Sequence, residues 1–351
     1  MGSFQGSFST LSAPDLGAVV IQNVVEQANI PLDDIDEVIM GCVLPAGVKQ
    51  GPARQAMRQA GLPDHVGATT INKVCGSGMK AAMQVSDAIK EKKKKIIVIG
   101  GMESMTNAPY LLPKARSGYR MGHGQVIDHM FMDGLEDAGT GRAMGSFAQD
   151  MADKKGYSRE QMDEFAIRSL TRAQKAIAEG YFKNEITAVK VTTRKGEVTI
   201  DVDENPANAK IDKIPTLRAA FAKDGTITAA NSSSISDGAS ALLITSESEA
   251  NKRNLAVLAE IKGYTTNSQL PEEFTIAPVG AIEKLLKNVG WSAEDVDLWE
   301  INEAFAMVTM AAIDAFKLDP EKVNVNGGAC ALGHPLGSSG SRIIVTLIHA
   351  L

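Results

Sequence analysis

The order of helix, acidic turn and strand occurs twice in this chain, once near its start and once in its last third. In the first copy a helical pattern begins at Ala13, residues 31–36 form the acidic turn, and residues 37–40 are strand-like. The second copy runs through residues 277–287, 292–297 and 298–301. Two similar α/β halves packed together would bring their turns to one interface, where binding sites form. Because the matched segments are short, chance similarity of α/β units is the alternative.

The repeat also predicts what each copy lacks. Residues 255–261 read as a strand before the second helix, and the first copy has no counterpart to it. Residues 96–101 are a continuous apolar run after a first-half helix, as in a central parallel strand, and the second copy has no counterpart to that. We therefore expect the chain to lack one strand at each end.

The bulk composition excludes several classes of protein. A net charge of -6 argues against nucleic acid as the main partner, because phosphate binding needs a basic face. Three cysteines in 351 residues do not form a disulfide framework, which predicts a reducing compartment, here the cytoplasm. No apolar run approaches the ~18 to 20 residues of a membrane span. The 44% hydrophobic content supports a sizeable core.

A single cysteine occupies the bend between a predicted strand, residues 68–71, and a predicted helix, residues 79–89. Cys75 would lie at or just before the helix N-terminus, where free N–H groups and the helix dipole favour the thiolate. Gly76 and Gly78 would let a substrate carbonyl approach the backbone. The other interpretation is that Cys75 is a small buried hydrophobic residue.

Two further polar groups suit acyl-transfer chemistry. His334 lies in a turn rich in Gly and Pro directly before a helix, which makes it a better base candidate than the other histidines. Asn302 follows the strand-like residues 298–301, although it could simply cap the next helix. Cys, His and Asn together can supply a nucleophile, a base and a polarising group. No zinc spacing, Walker loop or dinucleotide fingerprint is present.

Five motifs, in this order and spacing, resemble the thiolase family, most closely its acetyl-CoA acetyltransferase branch. They are Val-Cys-Gly-Ser-Gly-Met (74–79), Gly-Gly-Met-Glu-Ser-Met (100–105), Asn-Ser-Ser-Ser-Ile-Ser-Asp-Gly-Ala (231–239), Asn-Glu-Ala-Phe-Ala (302–306) and Gly-His-Pro-Leu-Gly (333–337). The resemblance implies a five-layered α/β/α/β/α fold of two similar halves with an inserted loop domain. The corresponding division is an N-terminal half at 1–104 and 231–250, a loop domain at 105–230 and a C-terminal half at 251–351.

The resemblance also implies roles for individual residues. Cys75 resembles the nucleophile that carries the acetyl group, and His334 resembles its base. Asn302 resembles the residue that holds an oxyanion-pocket water with His334. Five residues resemble contacts of the coenzyme A pantetheine arm: Ser233, Met144, Leu217, Phe221 and Phe305. The implied reaction converts two acetyl-CoA to acetoacetyl-CoA and CoA, reversibly, in a homotetramer with no permanently bound cofactor and no metal.

Two departures from the family pattern bear on activity. Family members carry a second catalytic cysteine in a Cys-x-Gly segment after the histidine motif, and neither Cys42 nor Cys330 occupies that position. The N-terminal strand, central in one sheet of the family, is also absent. We therefore expect little condensing activity and poor folding, which a normal turnover rate would contradict. The alternatives are a non-catalytic CoA-binding or assembly subunit, a related ketosynthase or synthase, and a cysteine hydrolase.

Overall fold

The computed structural model describes all 351 residues as a mixed α/β protein. The helices are α1 (Ala13–Ala28), α2 (Pro52–Gln59), α3 (Ser77–Lys90), α4 (Met144–Lys155), α5 (Arg159–Glu179), α6 (Glu204–Asn208), α7 (Glu247–Arg253), α8 (Ala277–Val289), α9 (Ala306–Phe316), α10 (Ala329–Leu332) and α11 (Leu336–Ala350). The strands are β1 (Gly2–Ser3), β2 (Glu37–Gly41), β3 (Gly67–Ile71), β4 (Ile96–Ser104), β5 (Tyr110–Leu111), β6 (Ile127–Asp128), β7 (Val189–Thr193), β8 (Gly196–Ile200) and β9 (Ser236–Thr245).

The helix boundaries follow local capping chemistry. Ser12 and Asp15 form a reciprocal capping box at the start of α1, and Asn29 ends that helix in the left-handed conformation. Ser158 caps α5 in the same way, and Gly180 ends it with φ of 74°. The start of α1 agrees with the helical pattern that begins at Ala13, because a capping residue is a local signal.

One five-stranded sheet organises the first half, in the order β1-β9-β4-β2-β3. Strands β2, β3 and β4 are parallel, and β9 runs antiparallel to β4 over the whole length of that strand. The expectation of a sheet weakened at its centre is wrong for this structure. β2 pairs directly with β4 from Glu37 opposite Ile97 to Gly41 opposite Gly101, so the ladder is continuous.

Helices cover both faces of this sheet. Helices α1 and α2 lie on one face, where Ile21, Met57 and Val98 belong to the largest apolar cluster. Helices α3 and α11 lie on the other face, where Val85 packs with Ile97 and Ile99 of β4. Because successive strand residues point to opposite faces, a strand covered on both sides is apolar along most of its length, as β4 is from Ile96 to Met102.

Close backbone contact fixes the start of α11 against the sheet. The carbonyl oxygen of Gly337 lies over Gly41 and Gly101, which are register partners on β2 and β4. A Cβ built on Gly41 would lie 2.5 Å from that oxygen, and one built on Gly101 only 1.9 Å. Only glycine therefore fits at these positions, and the first residues of α11 are held at the C-terminal ends of the parallel strands.

The second half repeats the helical part of the first but not its strands. Helix α8 begins with Ala-Pro as α1 does, and the short turn Ala293–Asp295 corresponds to Leu32–Asp34. The predicted strand at 255–261 is wrong: these residues have no regular structure, and Leu258 is 73% exposed. At 298–301 only Trp299 pairs, in an isolated parallel bridge with Val323. Strand geometry needs a neighbouring strand to pair with its N–H and C=O groups, and no strand pairs with residues 255–261.

Residues 105–230 contain two small hairpins, β5 with β6 and β7 with β8, and the helices α4, α5 and α6. Helix α5 packs against α9 and α10, so this region contacts the second half. After it, β9 returns the chain to the first sheet beside β4. The domain boundaries at 104, 230 and 250 stay a prediction.

Candidate active site

Cys75 lies in a tight turn directly before α3, as the sequence predicts. Ser77 fixes this turn, since its Oγ accepts from the Lys73 amide at 2.8 Å and donates to the Val74 carbonyl at 2.6 Å. Val74 has φ of 47°, in the left-handed region that β-branched residues avoid. Such strain costs on the order of 1–3 kcal/mol and is found where surrounding structure imposes it, often at functional sites. The turn leaves the Cys75 side chain partly exposed.

The environment of Cys75 favours the thiol, which corrects the expectation of a stable thiolate. Burial raises the pKa of Cys75 to about 11, and the Glu103 carboxylate contributes in the same direction. The N-terminus of α3 has fewer free N–H groups than the sequence predicts. The amides of Gly76 and Ser77 already donate to the carbonyls of Lys73 and Val74, each at 3.1 Å, so they are not free to stabilise a thiolate. The nucleophile must therefore lose its proton as it reacts.

His334 is buried and held in one orientation. Its backbone amide donates to the Ser234 carbonyl at 3.0 Å, and its Nδ1 lies 2.5 Å from Ser339 Oγ. The Ser339 hydroxyl donates to the Pro335 carbonyl at 3.1 Å, so we assign Nδ1–H as the donor to Ser339 and leave Nε2 unprotonated. Burial, with a further contribution from the charge of Arg342, lowers the pKa of His334 to about 3. The imidazole is thus neutral at pH 7 and can accept a proton at Nε2.

Asn302 lies beside His334 and does not cap the following helix. Its Nδ2 is 3.5 Å from His334 Nε2, and its buried Oδ1 accepts no hydrogen bond within the protein. The N-cap of α9 is Phe305, which makes no side-chain cap. The interpretation of Asn302 as a simple helix cap is therefore wrong, and the amide is available to a bound group.

Three separate segments are tied together around these side chains. The Ser233 amide donates to the Ala304 carbonyl at 3.0 Å, and the Ala306 amide donates to the Asn231 carbonyl at 2.8 Å. The Ser234 carbonyl accepts from His334 as described above. Gly333 allows this approach, because its φ is 106° and a Cβ there would lie 2.1 Å from Ser236 Oγ. The loop 231–236 therefore aligns the asparagine and histidine motifs.

One cavity of about 2600 Å³ joins most of the predicted site residues. Its lining includes Cys75, His334, Asn302, Ser233, Met144, Phe221 and Phe305. Cys75 packs against an apolar cluster that contains Leu336, two residues after His334. The cavity extends beyond this site along α8 and residues 255–262. The structure thus brings the nucleophile and base candidates to one shared space.

Leu217 is the predicted contact that the structure does not place on the cavity. Its carbonyl instead accepts from the Arg159 guanidinium at 2.9 Å, and its amide donates to Ile214. It therefore belongs to the packing of residues 211–217 against α5. The role of Leu217 as a wall residue stays a prediction, because the structure places it beside the cavity lining and not on it.

An aromatic wall borders the cavity. Phe305 makes edge-to-face contacts with Phe221 and Phe274, with ring centroids 6.1 Å and 6.4 Å apart. The Phe221 ring packs directly on the backbone of Gly145. A Cβ added to Gly145 would lie 2.1 Å from the ring, so a side chain there would displace Phe221. Phe274 lines the cavity as well, and the sequence analysis did not find it. No sequence motif indicates a role for Phe274, and only its contact with Phe305 in the structure does.

Two other residues near the site had no assigned role. Ser339 orients His334, and its position within the helix-starting sequence after the histidine is the only signal for it. Glu103, fully buried at the end of β4, accepts hydrogen bonds from three backbone amides. The sequence does contain a signal for Glu103, since it is a carboxylate near the end of an otherwise apolar strand. A buried charge needs hydrogen-bond donors or an opposite charge beside it.

The structure has no grouping of three or more His, Cys, Asp or Glu side chains suited to hold a metal ion. None of its helices combines the length and the apolar character needed to cross a bilayer.

Comparison with known proteins decides the family. Residues 1–248 match the family described as thiolase, N-terminal domain, and residues 255–351 match thiolase, C-terminal domain. The chain belongs to the thiolase family. The two matched ranges cover almost the whole chain, and the cysteine motif lies in the first range while the asparagine and histidine motifs lie in the second.

Individual relatives of this thiolase agree with that assignment. An acetyl-CoA acetyltransferase of Pseudomonas aeruginosa is 47% identical over 353 residues, which cover 100% of this chain and 90% of that protein. An acetyl-CoA acetyltransferase of Escherichia coli is 49% identical with the same coverage. The crystal structure of Acat5 thiolase from Ascaris suum in complex with coenzyme A superposes with a TM-score of 0.95 at 41% identity, covering 100% of this chain and 90% of that one. The predicted thiolase fold is confirmed.

The other two cysteines of this thiolase lie off the cavity. Cys42 is buried at the end of β2, with its Sγ 3.7 Å from Glu103 Oε1. Cys330 has its Sγ 3.7 Å from the Glu303 carbonyl. Burial raises the pKa of both thiols, and neither lines the cavity that contains Cys75. Cys75 is therefore the only thiol of this chain in position to accept an acyl group there.

Proposed function

We propose that this thiolase is an acetyl-CoA C-acetyltransferase, which converts two acetyl-CoA to acetoacetyl-CoA and CoA, reversibly, through an acetyl-Cys75 intermediate. The observation that carries the proposal is the position of Cys75, His334 and Asn302 on one cavity. Full-length relatives named acetyl-CoA acetyltransferase support it. So does the fold shared with a thiolase that was crystallised with coenzyme A.

The first step forms the thioester on the enzyme. Cys75 Sγ attacks the acetyl carbonyl carbon while the thiol proton passes to His334 Nε2, giving a tetrahedral oxyanion. The oxyanion then collapses, the bond to the CoA sulfur breaks, and His334 returns the proton to that sulfur. Because Cys75 is a thiol and His334 is neutral at pH 7, proton transfer accompanies the attack.

The second step passes the acetyl group to another coenzyme A derivative. His334 Nε2, neutral again after the first step, takes an α-proton from a second acetyl-CoA. The resulting carbanion bonds to the acetyl carbon of acetyl-Cys75, the bond to Cys75 Sγ breaks, and the proton passes to that sulfur, which yields acetoacetyl-CoA. Thiolysis is the reverse. Asn302 beside His334 supplies donors for the developing oxyanion, and loss of one such donor typically costs ~10²- to 10³-fold in rate. Transfer of the acetyl group back to free CoA needs no removal of an α-proton.

We also propose which residues bind the ligand. Phe221, Phe305 and Met144 form the apolar wall that packs along the pantetheine arm, and Ser233 supplies a polar contact. All four line the cavity. The substrates are thus acetyl-CoA, acetoacetyl-CoA and CoA, with no permanently bound cofactor. The apolar lining with few polar groups is typical of small-molecule sites.

Mass spectrometry of the acetylated protein tests the proposal. Incubation with acetyl-CoA should add one acetyl group, on the peptide that contains Cys75. Cys75→Ala should abolish the modification, whereas the matched control Cys330→Ala, which alters a thiol outside the cavity, should retain it. Release of free acetate without transfer to CoA would indicate a hydrolase. Binding of CoA with no acetylation of Cys75 would indicate a non-catalytic subunit, and either outcome would overturn the proposal.

We propose in addition that the protein forms a homotetramer in the cytoplasm. The assembly is supported by apolar side chains on the segment 110–126, where Met121 is 98% exposed and Tyr110 67%. The three cysteines are free, which suits a reducing compartment. Sedimentation velocity tests the assembly: we expect a tetramer that Met121→Asp weakens, and a monomer at micromolar concentration would contradict it.

A further inference from the structure

Glu103 joins the two halves of the active site. Its Oε2 accepts from the Val43 amide at 2.9 Å and from the Gly337 amide at 2.8 Å. Its Oε1 accepts from the Leu44 amide at 3.0 Å, and the Cys42 thiol lies 3.7 Å away. One carboxylate, fully buried, therefore binds the residues just after β2 and the start of α11.

Each of these two segments supports one member of the catalytic pair. Val43 and Leu44 belong to the apolar cluster against which Cys75 packs. Gly337 is three residues after His334, and its carbonyl lies over Gly41 and Gly101 of the sheet. The first-half backbone near the nucleophile and the second-half backbone near the base thus share Glu103 as their hydrogen-bond acceptor.

We propose that Glu103 is a positioning residue for acetyl transfer, setting the placement of His334 relative to Cys75 through the Gly337 amide and keeping a negative charge near the thiol. This inference rests on the proposed function. Above pH 7, where Glu103 is mostly ionised, its negative charge would hold Cys75 protonated until His334 receives the proton. It would therefore limit reaction of the thiol with other electrophiles.

The electrostatics of the surrounding groups are consistent with that role. Burial raises the pKa of Glu103 to about 7, against the opposing effect of the three amides. The titratable groups around the carboxylate are the thiols of Cys42 and Cys75, and its charge raises the pKa of each. No lysine, arginine or histidine side chain hydrogen-bonds to it. Its charge is thus balanced mainly by backbone amides.

Two substitutions separate charge from position. Glu103→Gln removes the charge and replaces one acceptor oxygen by an NH₂ group. That NH₂ group then faces backbone N–H donors, either those of Val43 and Gly337 or that of Leu44. Glu103→Asp keeps the charge but shortens its reach. The matched control is Asp36→Asn. Asp36 also accepts two backbone amides, from Lys95 at 2.6 Å and Ile96 at 3.0 Å, but at the opposite end of β4.

The first measurement is the rate of Cys75 acetylation by acetyl-CoA, and the second is the rate of Cys75 alkylation by iodoacetamide from pH 7 to 9. We expect both Glu103 variants to acetylate at least ~10-fold more slowly, since misplacement by about 1 Å can cost 10²-fold. Only Glu103→Gln should alkylate faster, about threefold at pH 8 to 9 where the wild-type Glu103 is mostly ionised, because a like charge nearby has been removed. Asp36→Asn should match the wild type in both.

The outcomes are decisive in each case. Acetylation of both folded variants at the wild-type rate, or an unchanged alkylation rate in Glu103→Gln, would overturn the proposal. Failure of both variants to fold while Asp36→Asn folds, judged by circular dichroism, would also overturn it in favour of a purely structural carboxylate. If the wild type itself is not acetylated, the proposed function fails, while alkylation, which needs no acetyl-CoA, still tests the effect of Glu103 on Cys75.

Discussion

At the scale of single residues, the chemistry depends on two groups that are both uncharged in the free protein. Cys75 keeps its proton because it is desolvated and lies near Glu103. His334 stays neutral because it is buried and close to the Arg342 charge. Arg342 is itself buried, with its Nη1 3.7 Å from Glu300 Oε2, and burial raises the pKa of that carboxyl to about 8. The motifs predicted which residues act, but burial and neighbouring charge set their protonation.

The pH dependence of Cys75 alkylation tests this description. The thiolate fraction rises tenfold per pH unit below the pKa, so a pKa of about 11 predicts a logarithmic rate that rises with a slope near one throughout pH 6.5 to 9.5. Peptide mass spectrometry after iodoacetamide treatment measures Cys75 separately from the other thiols. A plateau below pH 8 would contradict the account, since it would show a thiolate stabilised by the helix end and the imidazole.

At the scale of elements, the start of α11 is the part that most depends on close packing. Its first residues contact the sheet through glycine backbone at Gly41 and Gly101, and they bond to Glu103. Helix α11 also lies against α3, where a Cβ on Gly78 would be 2.6 Å from the Ser341 amide nitrogen. The helices that follow the cysteine and histidine motifs thus pack against each other and against one sheet.

A single added methyl group tests that packing. Gly101→Ala places a Cβ 1.9 Å from the Gly337 carbonyl oxygen, which is backbone and cannot move aside easily. We expect the free energy of unfolding to fall by at least about 2 kcal/mol, measured by urea denaturation, with a loss of acetylation that exceeds the loss of folded protein. The matched control is Gly67→Ala in β3, whose nearest atom would be 3.5 Å away. Equal stability of the two variants would contradict the packing argument.

The sequence predicts elements with strong local signals and fails where long-range contact decides. The helical pattern that begins at Ala13 predicted the start of α1 correctly, and Ser12 caps the helix there. The predicted strand at 255–261 failed, because an apolar run becomes a strand only when another strand pairs with it. Glu103 and Phe274 had no predicted role for a similar reason, since their importance comes from partners distant in the chain.

At the scale of the whole molecule, the site is built at the contact between the two halves that share the repeated order of helix, acidic turn and strand in the sequence. The first half supplies Cys75 and the sheet, and the second supplies His334 and Asn302. Loop 231–236 binds the two second-half motifs, and Glu103 connects the halves directly. The repeat predicted that the halves would meet at the site, but the contacts that hold them together required the structure.

The central claim is that Cys75 carries an acetyl group between two coenzyme A molecules. Exchange of isotopically labelled CoA into unlabelled acetyl-CoA measures this half-reaction alone, because it requires no carbon–carbon bond formation. We predict that the wild-type protein transfers label into acetyl-CoA, that Cys75→Ala transfers none, and that Cys330→Ala behaves as the wild type. Absence of exchange in the folded wild-type protein, or exchange that survives Cys75→Ala, would contradict the account.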